Sequence, residues 1–274
     1  MPLTVDDPQR APEKALSDSS DEFDFIRYSL NTPTAAELDR MQSEVDAEAI
    51  TRQSNTRPAR EVDLSVSRID PHLVNFYDCD RRAPEEYTRL AGSLIAAAGT
   101  RELKRLLVTS ARQGEGRTSV LLNLACALSH AKKRVLVVDS DCKRPSVLRM
   151  LGVEAQVGIV EALSRRLPAG SAAVRIQPHG FVALPLLERV ESPAELLASS
   201  AFHEMLGAFE PDYDFILFDS WPLLDSSDAG LLLRLAATTL MVVRAGKTTP
   251  GHLGRAIGPL AEENIFGVVL NRAA

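Results

Sequence analysis

Cysteine is scarce in this chain. Three stand among 274 residues, Cys79, Cys126 and Cys142, with no CxxC among them. No two histidines lie at metal-ligand spacing either, so neither a disulfide framework nor a zinc site is expected, and the set suits a reducing compartment. Long apolar runs are also missing. The longest, from Ala229 to Val243, is interrupted by Arg234, Thr238 and Thr239, which suits a helix followed by a strand rather than a membrane span. The opening, Met1 to Asp7, has no basic segment and no apolar core, so it does not read as a signal peptide. Excess positive charge is absent too: the formal net charge is −6. Residues 1–70 hold 15 Asp+Glu against 8 Lys+Arg, a net of −7, which leaves the remaining 204 residues at +1. A nearly neutral body argues against non-specific nucleic-acid binding. A soluble, cytoplasmic protein is expected.

What is present is α/β punctuation. Residues 1 to about 32 are polar and acidic, as in Ser17-Asp18-Ser19-Ser20-Asp21-Glu22, and read as disordered. Thr34 with Glu37 makes a capping box, and Leu38, Met41, Val45 and Ala49 recur at helical spacing after it. Residues 51–70 read as a linker, so residues 1–70 form a flexible acidic extension with one short amphipathic helix, and residues 71–274 the domain. In the domain, helices are expected at Glu85–Ala97 and Val120–Ala131. Strands are expected at Leu106–Thr109, Val135–Asp139, Phe181–Leu184, Phe215–Asp219, Leu240–Arg244 and Gly267–Asn271. Ser192-Pro193-Ala194-Glu195 combines an N-cap, an N1 proline and a capping-box Glu. Apolar, β-branched strands alternating with helices predict a doubly wound, mostly parallel sheet covered on both faces.

The chemistry lies where strands end. Between the strand Leu106–Thr109 and the helix from Val120 runs Ser110-Ala111-Arg112-Gln113-Gly114-Glu115-Gly116-Arg117-Thr118-Ser119. Strand, glycine loop and helix together make a phosphate cradle, because loop N–H groups and the helix N-terminus converge on an anion. Gly114 and Gly116 let the backbone approach a phosphate without a Cβ in the way. Thr118 stands where a hydroxyl would ligate Mg²⁺. Arg117 stands where such loops carry the Lys that reaches the β- and γ-phosphates. Asp139 and Asp141 follow one strand, and Asp219 follows another. A single Asp after an apolar run is commonly a cap, but three beside a glycine loop point to a nucleotide site. Mg²⁺ bridging phosphate oxygens would supply the charge these carboxylates need.

These segments resemble the bacterial tyrosine kinases (BY-kinases) of capsule and exopolysaccharide export, within the MinD/ParA class of P-loop ATPases. The family's phosphate loop P-G-E-G-K-S/T is matched by Gln113 to Thr118 except at Gln113 and Arg117. Its D-x-D-x-R corresponds to Asp139-Ser140-Asp141-Cys142-Lys143, with Lys in place of Arg. Its Walker B motif D-x-x-P matches Asp219 to Pro222, and Asp228 matches a following family aspartate. Ser192 to Ser199, Val242 to Thr249 and Gly267 to Arg272 are also similar, so the likeness covers roughly residues 71–274. It implies a P-loop NTPase fold and ATP or ADP with Mg²⁺. The nucleotide would be bound by Gly114, Glu115, Gly116, Arg117, Thr118 and Ser119, with Asn271 and Arg272 near the adenine. The metal would lie on Thr118, Asp139 and Asp219, and the catalytic roles on Arg117, Asp139, Asp141 and Asp219. The implied partner is a membrane polysaccharide copolymerase, which would recruit the protein to the inner membrane.

Departures from the family pattern shape the expected activity. Guanidinium is a planar fork and cannot place charge where an ammonium does, so Arg117 is expected to weaken catalysis. The family's E-x-x-R-x-x-R assembly helix reads here as Glu86, Arg89 and Gly92, so monomers, dimers or a partner-dependent complex are expected rather than a stable ring. The family's C-terminal tyrosine cluster has no counterpart before Ala274. Tyr87 and Tyr213 fall in expected ordered elements, Tyr77 lies near the domain start, and Tyr28 lies in the extension. Two mechanisms follow: tyrosine phosphorylation of another protein, assisted by Asp139 or Asp141, or a nucleotide-switched scaffold with feeble chemistry. A MinD/ParA-type positioning ATPase is the third reading; Arg112 occupies the region of that class's signature lysine.

Overall fold

The computed structural model describes residues 56–65, 68–77, 82–100, 103–225, 229–236, 238–260 and 264–271. The acidic segment at 17–22, the helix expected from Thr34, Tyr28, Asp228 and Arg272 all lie outside the described residues.

Among the described residues, eight strands form one sheet: β1 Arg60–Asp63, β2 Arg105–Ser110, β3 Val135–Asp139, β4 Val174–Gln177, β5 Val182–Leu184, β6 Phe215–Asp219, β7 Thr238–Arg244 and β8 Ile265–Asn271. Their order is β1-β4-β5-β3-β6-β2-β7-β8. Every neighbouring pair is parallel except β4 with β5, which are antiparallel. The sheet is therefore mostly parallel, as expected. Strands β3 and β6 begin and end where the sequence placed them, because Val135-Leu136-Val137-Val138 and Phe215-Ile216-Leu217-Phe218 are wholly apolar and wholly buried. A strand buried on both faces needs a continuous apolar run.

Residues alternate between two cores. Leu106, Val108, Val135, Val137, Phe215 and Leu217 face one layer. Leu107, Leu136, Val138, Ile216 and Phe218 face the other. The first layer holds α1 Arg82–Ala98 and α2 Arg117–His130. Helix α2 is buried from Val120 through Leu128, a consequence of lying between the sheet and α1. The second face is covered by α4 Ile159–Ser164, α5 Pro193–Ala198, α6 Ser200–Phe209 and α7 Ala229–Leu233, while α3 Val147–Leu151 lies with the first layer and α8 Pro250–Ile257 closes the β7–β8 end.

Two expectations need correction. Residues 51–70 were expected to be linker, yet β1 pairs in parallel register with β4, Arg60 opposite Val174 through Asp63 opposite Gln177. Ala59 N–H donates to Gly170 O at 3.0 Å and Leu64 N–H to Gln177 O at 3.1 Å. The folded unit therefore reaches back at least to Thr56. The second concerns Ser192. It does precede α5, with Pro193 at the first turn, but its side chain makes no capping hydrogen bond. Capping falls instead to Ser199, whose Oγ accepts from Phe202 N–H at 3.2 Å at the start of α6.

Candidate functional site

The parallel strands β2, β3, β6, β7 and β8 end on one edge of the sheet, and the site is assembled there. In the β3–β6 register Asp139 stands opposite Asp219, and in the β2–β6 register Val108 stands opposite Asp219. Strand pairing alone therefore brings two carboxylates side by side beside the mouth of the glycine loop. Such strand-tip crevices are where doubly wound sheets take their ligands.

The loop is held in shape by its own glycines and by β7 and β8. Gly114 and Gly116 have φ of +77° and +91°, in the left-handed region, and Gly116 caps the N-terminus of α2. A Cβ on Gly116 would sit 2.1 Å from Asn271 Nδ2. That amide donates to Glu115 O at 3.0 Å. Lys247 Nζ donates to Gln113 O at 3.4 Å and Arg244 Nη1 to Gly114 O at 3.1 Å. Glu115 is buried, and its carboxylate accepts from Arg112 N–H at 3.0 Å and from the Thr248 hydroxyl. The Glu115 side chain thus braces the loop from behind, and only its backbone remains for a ligand. Asn271, expected by an adenine, here supports the loop through its amide.

Thr118 Oγ1 donates to Asp219 Oδ2 at 2.7 Å and lies 3.0 Å from Ser146 Oγ. The other oxygen of Asp219, Oδ1, is buried with no hydrogen-bond partner. An ionised oxygen in that state is costly unless a cation or donor meets it. Burial raises the Asp219 pKa, opposed by the nearby Arg117 charge and the Thr118 hydroxyl. Burial also raises Asp139 well above the usual carboxylate range, and the neighbouring Asp219 charge adds to the effect. Backbone donors oppose it. Asp139 Oδ2 accepts from Ser146 N–H at 2.9 Å and Val147 N–H at 3.1 Å, and Oδ1 from Asp141 N–H at 3.2 Å. Asp139 thus anchors the loop after β3 through both of its oxygens.

Arg117 is buried and turned onto protein acceptors. Its Nε donates to Ser220 O at 2.7 Å, and its Nη1 to Ser110 Oγ at 2.8 Å and Arg112 O at 3.3 Å. Its Nη2 lies 3.5 Å from Asp141 Oδ2. The guanidinium therefore ties together the loops after β2, β3 and β6. Asp141, in turn, accepts through Oδ1 from Lys143 N–H at 3.2 Å and Arg144 N–H at 3.0 Å. Burial raises the Asp141 pKa, with Arg117 opposing. Lys143 extends over the Trp221 ring, 5.6 Å from its centroid. The Trp221 contact had no signal in sequence spacing. Ser119 follows Thr118 in the first turn of α2, half-buried. The fold thus brings together Gly114 to Ser119, Asp139, Asp141, Asp219 and Asn271 from four strand ends, those of β2, β3, β6 and β8.

Among the tyrosines, Tyr87 and Tyr213 are buried. Tyr77 is half-buried, its hydroxyl donating to Ile69 O at 2.5 Å. In α1, Arg89 pairs with Glu86 within the helix, and Gly92 is buried. No described helix is long and apolar enough to cross a membrane.

Comparison with known proteins agrees with this fold. The ParA family, described as NUBPL iron-transfer P-loop NTPase, matches residues 103–194. The tyrosine-protein kinase YwqD of Bacillus subtilis is 27% identical over 207 residues, covering 75% of this chain and 87% of that protein. AmsA of Erwinia amylovora, named for the same activity, is 30% identical over 246 residues, covering 88% of this chain and 32% of AmsA. The chain thus spans about a third of AmsA. Among solved structures, the BceF tyrosine kinase domain superposes with a TM-score of 0.63 at 27% identity, covering 89% of this chain and 92% of that one. A MinD from Pyrococcus horikoshii, solved with Mg-ADP, is more distant, with a TM-score of 0.51 at 21% identity and 61% of this chain covered against 69% of its own. The chain's relatives are bacterial tyrosine kinases, and its fold is that of their kinase domains within the wider P-loop NTPase class.

Proposed function

We propose that this chain is a nucleotide-binding, tyrosine-kinase-like domain of exopolysaccharide or capsule biosynthesis. It binds ATP or ADP with Mg²⁺ and works in the cytoplasm with a membrane polysaccharide copolymerase, as a nucleotide-dependent regulator or weak tyrosine kinase. The observation that carries this reading is the Thr118–Asp219 hydrogen bond, which joins the first turn of α2 to the tip of β6 and leaves Asp219 Oδ1 buried and unpartnered. A hydroxyl and a carboxylate so placed are a hard-oxygen donor set that fits Mg²⁺.

Thr118 and Asp219 would hold the metal, which when bound neutralises charge on the β- and γ-phosphates. Asp139 would add charge beside it, since its oxygens already serve the loop that follows β3. The N–H groups of Gly116, Arg117, Thr118 and Ser119 lie at the start of α2, where helical N–H groups lack intrahelical partners and so remain for phosphate oxygens. Asp141 lies nearest the Arg117 guanidinium, where it would accept or orient a hydroxyl proton of an incoming tyrosine. Tyr87 and Tyr213 are buried, so neither is that tyrosine in the folded domain.

The test is a melting curve with millimolar Mg·ADP and Mg·ATP, followed by incubation with labelled ATP and a tyrosine-bearing copolymerase peptide. A ligand at a hundred times its Kd stabilises by about 2.7 kcal/mol, so a clear rise in Tm is expected. Unmoved curves with both nucleotides would defeat the nucleotide-binding reading. Slow ADP release with traces of phosphotyrosine supports the weak kinase, and release without phosphotyrosine supports the regulator.

A further inference from the structure

The sparse cysteines and scattered histidines give no zinc site in the sequence, yet the fold gathers three of them at one point. Cys126 and His130 stand one helical turn apart in α2, and His179 lies in the turn between β4 and β5. Cys126 Sγ is 3.2 Å from His179 Nδ1 and 3.8 Å from His130 Nε2, and the two ring nitrogens are 3.2 Å apart. We propose that Cys126, His130 and His179 form a binding site for a zinc-class divalent transition-metal ion, with a fourth position open to solvent.

The spacing fits the ion. With metal–nitrogen bonds of about 2.0–2.1 Å and a metal–sulfur bond of about 2.3 Å, the edges of a tetrahedron are about 3.3 Å between nitrogens and about 3.5 Å between sulfur and nitrogen. The three observed separations, 3.2, 3.2 and 3.8 Å, straddle those values. Hydrogen bonding accounts for the cluster less fully. A ring nitrogen is either donor or acceptor and a thiol carries one proton, so three mutual contacts cannot all be satisfied. Three lone pairs on one cation satisfy them together. The donor set of one thiolate and two imidazoles selects zinc, cobalt or copper over Mg²⁺.

The site is also built. The Phe76 ring meets the His179 ring edge-on, centroids 4.4 Å apart, and fixes its orientation. Cys126 is buried at the back, His179 is half-buried, and His130 is exposed at the front, so an ion has a way in. On binding, the Cys126 thiol would give its proton to solvent as the sulfur–metal bond forms, and the imidazoles would bind without proton loss. The ion would pin the far end of the helix whose first turn carries Arg117 and Thr118 to the β4–β5 turn.

The experiment is titration of the full chain, stripped of metal by chelator, with cobalt(II) in excess Mg²⁺, which keeps oxygen-rich sites filled. One equivalent is expected, with a near-ultraviolet thiolate-to-cobalt absorption that zinc then displaces, and with a higher melting temperature in zinc. Cys126→Ser should abolish the absorption. His130→Gln, at an exposed position that spares the fold, should weaken cobalt binding at least about tenfold. Absence of the thiolate band, its survival in Cys126→Ser, or unchanged affinity in His130→Gln would each overturn the site.

Discussion

Asp219 shows at a single residue how binding and stability pull apart. Its carboxyl is fully buried, one oxygen has no partner, and burial raises its pKa. In Mg-free protein the fold therefore favours the protonated form. The stabilising effect is complete below the usual carboxylate pKa and is lost as pH rises through the raised one. Asp219→Asn keeps the shape and the acceptor for Thr118 while removing the charge. It should stabilise the Mg-free protein at neutral pH by about 1–3 kcal/mol, less in acid, while abolishing Mg-dependent nucleotide binding. Urea melts at two pH values, with and without Mg·ADP, measure both; a variant less stable than the parent at neutral pH would contradict the account. Arg117 poses the opposite case. Its guanidinium already serves Ser220 O, Ser110 Oγ and Arg112 O and faces Asp141, a set no ammonium can reproduce. Arg117→Lys should lower stability by about 1–3 kcal/mol yet raise ATP turnover, because lysine can leave those acceptors for the β- and γ-phosphates. If turnover falls instead, Arg117 has itself become the phosphate ligand.

At the scale of elements, the phosphate loop is a backbone held from outside by β8. Gly116→Ala would put a methyl into the Asn271 amide at a φ of +91°, whereas Gly114→Ala would meet only the mobile end of Lys247 at 3.2 Å. Both pay the left-handed strain of about 1–2 kcal/mol. Only the first also displaces the Asn271 bond to Glu115 O, so it should cost about 1 kcal/mol more and lose nucleotide binding more completely. Chemical denaturation and ADP titration of the two variants side by side test the order; equal losses would refute it. This bond joins residues 156 apart, which is why the loop was legible in the sequence and its support was not. The same holds for strands. Apolar β3 and β6 were readable to the residue, but β1, Arg60-Glu61-Val62-Asp63, is a polar edge strand whose burial pattern gives no alternation. Strand β4, Val174-Arg175-Ile176-Gln177, does alternate, but four residues are too few to stand out beside a helix pattern. Glu115 read as a phosphate-loop letter and is a brace; Cys126 and His130 share a helix turn, but the third member of their cluster, His179, comes from a separate hairpin.

At the scale of the whole molecule, the folded unit is larger than residues 71–274, and its N-terminal boundary is set by contacts rather than composition. Between residues 56 and 70 the chain adds β1 to the sheet, Thr56 bonds Asp212, Asp70 N–H donates to Met150 O at 2.9 Å, and Gly170 packs so tightly that a Cβ there would lie 2.4 Å from Arg57 O. Removing residues 1–55 takes away none of these bonds; removing residues 1–70 strips a parallel strand and exposes the β4 edge and its backbone groups. The shorter truncation should therefore melt and bind Mg·ADP as the full chain does, while the longer one should lose several degrees in Tm and gain a tendency to aggregate. Light scattering on the same samples reads assembly. With Gly92 buried and Glu86 engaged by Arg89 inside α1, the full chain with Mg·ADP should run as monomer or dimer, because a ring repeats the loss of a contact at every interface. A discrete ring would show that this helix face still assembles without a third charged residue. Equal stability of the two truncations would show that β1 contributes nothing to the fold, and would return the boundary to residue 71.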